Sequence, residues 1–183
     1  MAYRGKVINN PAAKMSIRFL QTKNDTGGKL LEMEATYQPQ STGPVMHYHP
    51  YQHEDFTILE GELTVIENGK TTVLKAGDSL HIARGVKHAM YNHSDLKTVV
   101  NWQVRPALDT EHLLETTAGL AADGKVNKKG VPGILQVALM ANKYSKVFRL
   151  SKPTFAVQKI FFTVLSPFAF LAGLQADYEE YLD

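Results

Sequence analysis

With 183 residues, 44% of them hydrophobic and 21% charged, the chain can build one domain with a substantial core plus an appendage, but not two full domains. The lack of cysteine excludes disulfides, thiolate catalysis and cysteine-ligated zinc. A formal net charge of +2 selects no partner, and residues 1–13 carry Arg4, Lys6 and Pro11 without the apolar run of a secretory signal, so a cytoplasmic location is expected.

Residues 15–22 and 29–37 read as strands joined by the turn-rich run Asn24-Asp25-Thr26-Gly27-Gly28, a hairpin pattern. Strands over 54–59 and 62–66 follow on either side of Glu60-Gly61. Asn68-Gly69 then predicts a tight type I′ turn into a strand over 71–75, because both central residues of that turn need positive φ. Further strands are expected over 79–82, 87–91 and 97–105, the last rich in β-branched residues at Thr98-Val99-Val100. Short strands at such regular intervals predict an antiparallel sandwich or barrel.

Beyond Pro106 the period changes. Asp109 is placed to cap a helix whose apolar stripe begins at Leu113 and Leu114 and ends near Gly119 or Gly124. A second helical pattern covers 132–144, and a third begins near Pro153, is interrupted by Pro167 and ends near Gly173. Between Gly124 and Ala176 there are eight lysines and arginines and no acid; acids return at Asp177, Glu179, Glu180 and Asp183. The apolar run 160–173 is fourteen residues long, too short to cross a bilayer as a helix, and needs a cover. The expected covers are the strand domain or the second subunit of a homodimer, with an interfacial helix on a membrane surface as the minor alternative. No helix-turn-helix pattern is evident, so a nucleic-acid partner is not expected.

The chemistry lies between residues 43 and 92. His47-Tyr48-His49 puts two imidazoles on one face of an extended strand. Glu54 follows after Pro50 and offers an oxygen, and His88 arrives from a later strand. Three nitrogens and one oxygen suit a divalent transition metal, whether zinc, iron, manganese, nickel or copper. His53 is adjacent to Glu54 and belongs on the opposite strand face; a one-residue slip would exchange the two. His81, His93 and His112 have no partner spacing. By strand parity Phe56 and Ile58, and Met90 and Asn92, share the ligands' side. Trp102 and Gln103 lie on opposite faces of the last strand, so one of them faces inward, and Arg84 and Arg105 are candidates for an anion at a pocket mouth.

The spacing is strict. His47, one residue, His49, four residues, Glu54, six residues, Gly61 is followed by Gly77, five residues, Ala83, one residue, Gly85, two residues, His88, three residues, Asn92. These two blocks resemble the paired motifs of the cupin superfamily. Ala83 replaces the usual proline, and Gly43 stands closer to the first histidine than that pattern asks. The resemblance covers roughly the first 110 residues. It implies an all-β fold, a small cupin-type barrel (double-stranded β-helix, or jelly roll) over 1–108, followed by a helical extension over 109–183. It also implies His47, His49, Glu54 and His88 as metal ligands, with Gly61, Gly77 and Gly85 at turns.

Cupins include dioxygenases, isomerases, decarboxylases and proteins without catalysis. The leading expectation is a metal-dependent enzyme acting on a small organic substrate, an oxygenase first. In it Glu54 either completes the metal shell or serves as the catalytic base. Isomerase and decarboxylase chemistry stays open within that class. The contrasting expectation is a pocket that binds or senses a small molecule without turnover.

Overall fold

The computed structural model describes residues 1–182. In chain order the strands are β1 (Val7–Asn10), β2 (Met15–Gln21), β3 (Leu31–Tyr37), β4 (His47–Tyr48), β5 (His53–Glu60), β6 (Glu62–Glu67), β7 (Lys70–Lys75), β8 (Ser79–Ile82), β9 (His88–Tyr91) and β10 (Thr98–Arg105). Then come α1 (Thr110–Ala122), α2 (Ile134–Lys143), the two-residue β11 (Arg149–Leu150), α3 (Phe155–Leu171) and α4 (Glu179–Leu182).

Two antiparallel sheets face each other, one ordered β1-β2-β3-β10-β5-β8 and the other β11-β4-β9-β6-β7. Their inner residues alternate along each strand, and Phe19, Leu31, Met33, Phe56 and Ile58 from the first sheet meet Leu63, Val65 and Met90 from the second. The expected hairpin is present as β2 on β3, with Met15 opposite Tyr37. Asn68 and Gly69 have φ of 47° and 86° between paired Glu67 and Lys70, as the tight turn requires. Gly61 has φ +77°, and a Cβ there would lie 2.4 Å from the Lys97 carbonyl oxygen, so both backbone angle and space demand glycine.

The expectation of a closed all-β barrel needs correction. Within the described residues no strand of one sheet forms a ladder with a strand of the other, and four helices complete the fold. One edge of each sheet is occupied by the later part of the chain. Helix α1 packs over β1, with Lys6 Nζ 2.7 Å from the buried Glu115 carboxylate, and β11 is laid against β4 by the chain between α2 and α3.

The three expected helices are α1, α2 and α3, with ends displaced by a few residues. Asp109 precedes α1 but makes no side-chain cap; its carboxylate lies 3.0 Å from Lys23 Nζ. Helix α3 runs through Pro167 without breaking. The carbonyl that Pro167 deprives of a partner is that of Thr163, an exposed residue, where water can serve instead. None of the described helices is long and apolar enough to cross a membrane.

Candidate metal centre

Register places the site. His47 on β4 lies opposite His88, the first residue of β9, and His49 follows directly after β4. The Gly85 amide donates to the His49 carbonyl over 2.8 Å, tying the second motif to the first. Glu54 comes from β5 in the facing sheet, so the histidines and the carboxylate approach each other across the sandwich. One ligating nitrogen from each of His47, His49 and His88 lies within 4.8 Å of the others, and all three residues are buried.

The hydrogen bonds around these rings define what they can hold. Each Nδ1 meets a backbone carbonyl: His47 with Val45 at 2.8 Å, His49 with Val147 at 2.6 Å, His88 with Val86 at 3.0 Å. A carbonyl only accepts, so in each neutral ring the proton sits on Nδ1 and Nε2 is left with a free lone pair. The Nε2 atoms of His49 and His88 and Oε2 of Glu54 are buried without a hydrogen-bond partner, although Oε2 is 3.2 Å and 3.0 Å from those nitrogens. Lone pairs facing a carboxylate at that range repel unless something positive lies between them. A proton on one ring would satisfy one contact; a cation satisfies all of them together. Rings tethered at Nδ1 to backbone carbonyls are the usual outer support of a metal-binding histidine, so the donor set fits a divalent ion.

Electrostatics agree for His47 and Glu54. Burial pushes the His47 pKa down to about 3, with His49 and His88 adding to the effect, so this ring is neutral. Burial by itself would raise the Glu54 pKa, but His49 and His88 outweigh it and hold the carboxyl well below its usual range. For His49 burial acts downward, and the Glu54 carboxylate more than reverses it. Trp102 Nε1 donates to Glu54 Oε1 over 2.9 Å, so Glu54 is fixed as well as ionised.

A largely apolar cavity of about 280 Å³ opens on the group. Phe56, Met90 and Trp102 line it from the strands, Leu113 and Leu114 from α1, Met140 and Tyr144 from the region of α2, and Phe155 and Phe162 from α3. Trp102 is therefore the inward residue of its pair, and Gln103 bonds Glu32 on the outer face. Phe56 and Met90 reach the cavity, whereas Ile58 stays in the core. Asn92 is buried but structural, its amide bonding the carbonyls of Tyr37, Gln38 and Leu96. Arg105 pairs with Asp55 at 2.8 Å, and neither it nor Arg84 lines the cavity. His53 packs beside His81, with ring centroids 5.5 Å apart.

The segment from Tyr144 to Leu150 supplies what sequence reasoning missed. Phe148 stacks on His47 with centroids 4.4 Å apart and planes inclined by 18°, and Val147 gives the carbonyl that fixes His49. The only signal was a short apolar run between two lysine-rich patches, with neither a strand nor a helix period.

Residues 33–103 match the family model for the cupin domain. Oxidoreductase iacF of Pestalotiopsis fici is 30% identical over 115 residues, covering 58% of this chain and 55% of that protein. Quercetin 2,3-dioxygenase of Bacillus subtilis is 31% identical over 72 residues, covering 39% of this chain and 21% of that protein. The matched portions span between about a fifth and just over half of the curated relatives' lengths. An RmlC-like cupin from Shewanella frigidimarina superposes with a TM-score of 0.50 at 18% identity, covering 61% of this chain and 92% of that one, a likeness of fold.

Proposed function

Since the chain belongs to the cupin superfamily, we propose that it is a metal-dependent enzyme acting on a small, largely apolar organic substrate, with oxygenation as its chemistry. His47, His49 and His88 hold a divalent transition ion through Nε2, and Glu54 supplies the oxygen. One observation carries the reading: three rings tethered at Nδ1 bring one nitrogen each within 4.8 Å of the others, and two of them, His49 and His88, set Nε2 3.2 Å and 3.0 Å from the buried Glu54 carboxylate beside an apolar cavity. An ion held there supplies Lewis-acid polarisation of a substrate oxygen and, if redox-active, one-electron chemistry with dioxygen. The names of the oxidoreductase and dioxygenase relatives support that choice.

The chain's own contributions follow from where its groups sit. Phe56, Met90, Trp102, Phe155 and Phe162 exclude water and orient an apolar ligand by shape. Trp102 holds Glu54 Oε1, so any proton that Glu54 accepts goes to Oε2, the oxygen that also faces His49 and His88. Ligation and the base role would therefore compete for one atom.

That competition favours a second reading, binding or sensing without turnover, because Glu54 is pinned and held ionised. Elemental analysis of the purified protein, then oxygen uptake across a panel of enolisable and aromatic compounds, separates the readings. We expect about one bound ion per chain, its loss in His88→Ala, and oxygen uptake with at least one compound. A compound bound saturably and recovered unchanged would favour the sensor, and a protein that refuses every divalent ion would remove both.

A further inference from the structure

Helix α3 is turned inside out. Its buried residues are Gln158, Phe162 and Ala169, and the Gln158 amide donates to the carbonyls of Leu150 and Pro153 over 2.9 Å and 2.7 Å. Its opposite side carries Val157, Ile160, Phe161, Val164, Phe168 and Leu171, which are 50–85% exposed. At roughly 100° per residue these six fill one sector of about 100° that includes no polar side chain. An exposed apolar stripe of this kind marks an interaction surface.

We propose that this face of α3 lies flat in the surface of an anionic lipid bilayer. Charge decides between lipid and a second copy of the chain. Between Gly124 and Ala176 there are eight basic residues and no acid, with Lys152 just before α3 and Lys159 one turn inside it. A second copy docked through α3 would bring an equal excess of basic charge to the same contact. Anionic headgroups complement them, while the lysine-free remainder of the helix enters the acyl boundary. The acids that follow lie beyond the helix, and two of the eight cations are already paired with acids, Lys143 with Asp177 and Lys125 with Asp123. At 17 residues α3 suits an in-plane position and cannot span the bilayer. The inward side of α3 walls the cavity through Phe155 and Phe162, so docking would set that wall against lipid. This proposal does not depend on the metal.

The test is co-sedimentation of the full chain with phosphatidylcholine vesicles, with and without phosphatidylglycerol, alongside sedimentation velocity. Pelleting with the anionic vesicles, weakening as salt is raised, is expected. Phe161→Glu/Phe168→Glu should lower partitioning about tenfold or more. Lys152→Gln/Lys159→Gln should lower it about tenfold at low salt and little at high salt. Unchanged circular dichroism in both variants keeps the comparison about the surface. Protein that stays in the supernatant with both vesicle types, or that binds both equally, overturns the proposal. So does a dimer that Phe161→Glu/Phe168→Glu dissociates.

Discussion

Strand β3 alternates buried and half-buried residues from Leu31 to Tyr37, its inner members completing a core shared with the facing sheet. Helix α3 does the reverse, burying a glutamine and leaving three phenylalanines half exposed or more. The strand region completes its own burial, so it can fix donor atoms to within hydrogen-bonding tolerance. The helical region buries only a small cluster of its own, Leu120, Met140, Tyr144 and Val147, and turns other groups toward the strand region: Glu115 to Lys6, the Val147 carbonyl to His49, half-buried Phe148 to His47. The site is a seam between the two regions, and cutting single contacts along that seam measures how much each side contributes.

The largest effect is expected where a charge crosses the seam in buried surroundings. The Glu115 side chain is fully buried and that of Lys6 is 10% exposed, with 2.7 Å between them. Lys6→Met would leave the carboxylate without this cation and should cost about 3 kcal/mol in equilibrium denaturation. Adding Glu115→Leu should recover much of that loss, since an apolar pair of similar volume often replaces a buried ion pair at little cost. A loss below about 1 kcal/mol would put the contact with exposed pairs and weaken the claim that α1 anchors the strand region.

A smaller effect is expected at the candidate metal centre. Phe148 faces the His47 ring from the helical side while Val45 holds its Nδ1, so Phe148→Ala frees the ring on one flank only. If His47 is a ligand, metal affinity in a chelator competition should fall about 10- to 100-fold, as it does on loss of outer-shell support. Phe148→Leu should retain most of the affinity. Equal affinity in all three proteins would mean that the strand region sets the site unaided.

The strand region was legible because its signals are local. Period-2 alternation, Asn68-Gly69 and the two ligand blocks each act within a few residues, so nearly every expected strand appears within two residues of its place. Parity put Phe56 and Met90 on the cavity side, but could not choose between Trp102 and Gln103, since both faces of β10 are covered. β11 is only two residues long and its partner β4 lies outside any local window, whereas β1 pairs locally with β2 but offers only the four residues Val7–Asn10. Phe148 was out of reach for the same reason, its contact with His47 spanning about a hundred residues. For residues 160–173 the sequence required a cover, and the structure leaves much of the outer face bare.

The smallest effect lies at the start of α1, where the carboxylate of buried Glu111 accepts from the Lys23 amide. Burial raises its pKa and Glu115 adds to this, against the Lys23 amide, His112 and the Lys23 side chain, which act downward. A raised carboxyl pKa means that the folded chain keeps this proton to higher pH than the unfolded chain does. The contribution to stability is therefore fully present below the unfolded pKa and is lost as pH rises through the folded one. Glu111→Gln keeps an acceptor for the Lys23 amide and removes the titration. Its stability relative to the parent should thus rise between pH 4 and pH 7 in chemical denaturation, by less than either effect above. A relative stability that falls over that interval would mean that the ionised carboxylate is the favoured form, and that this end of α1 is held to the β2–β3 loop by charge.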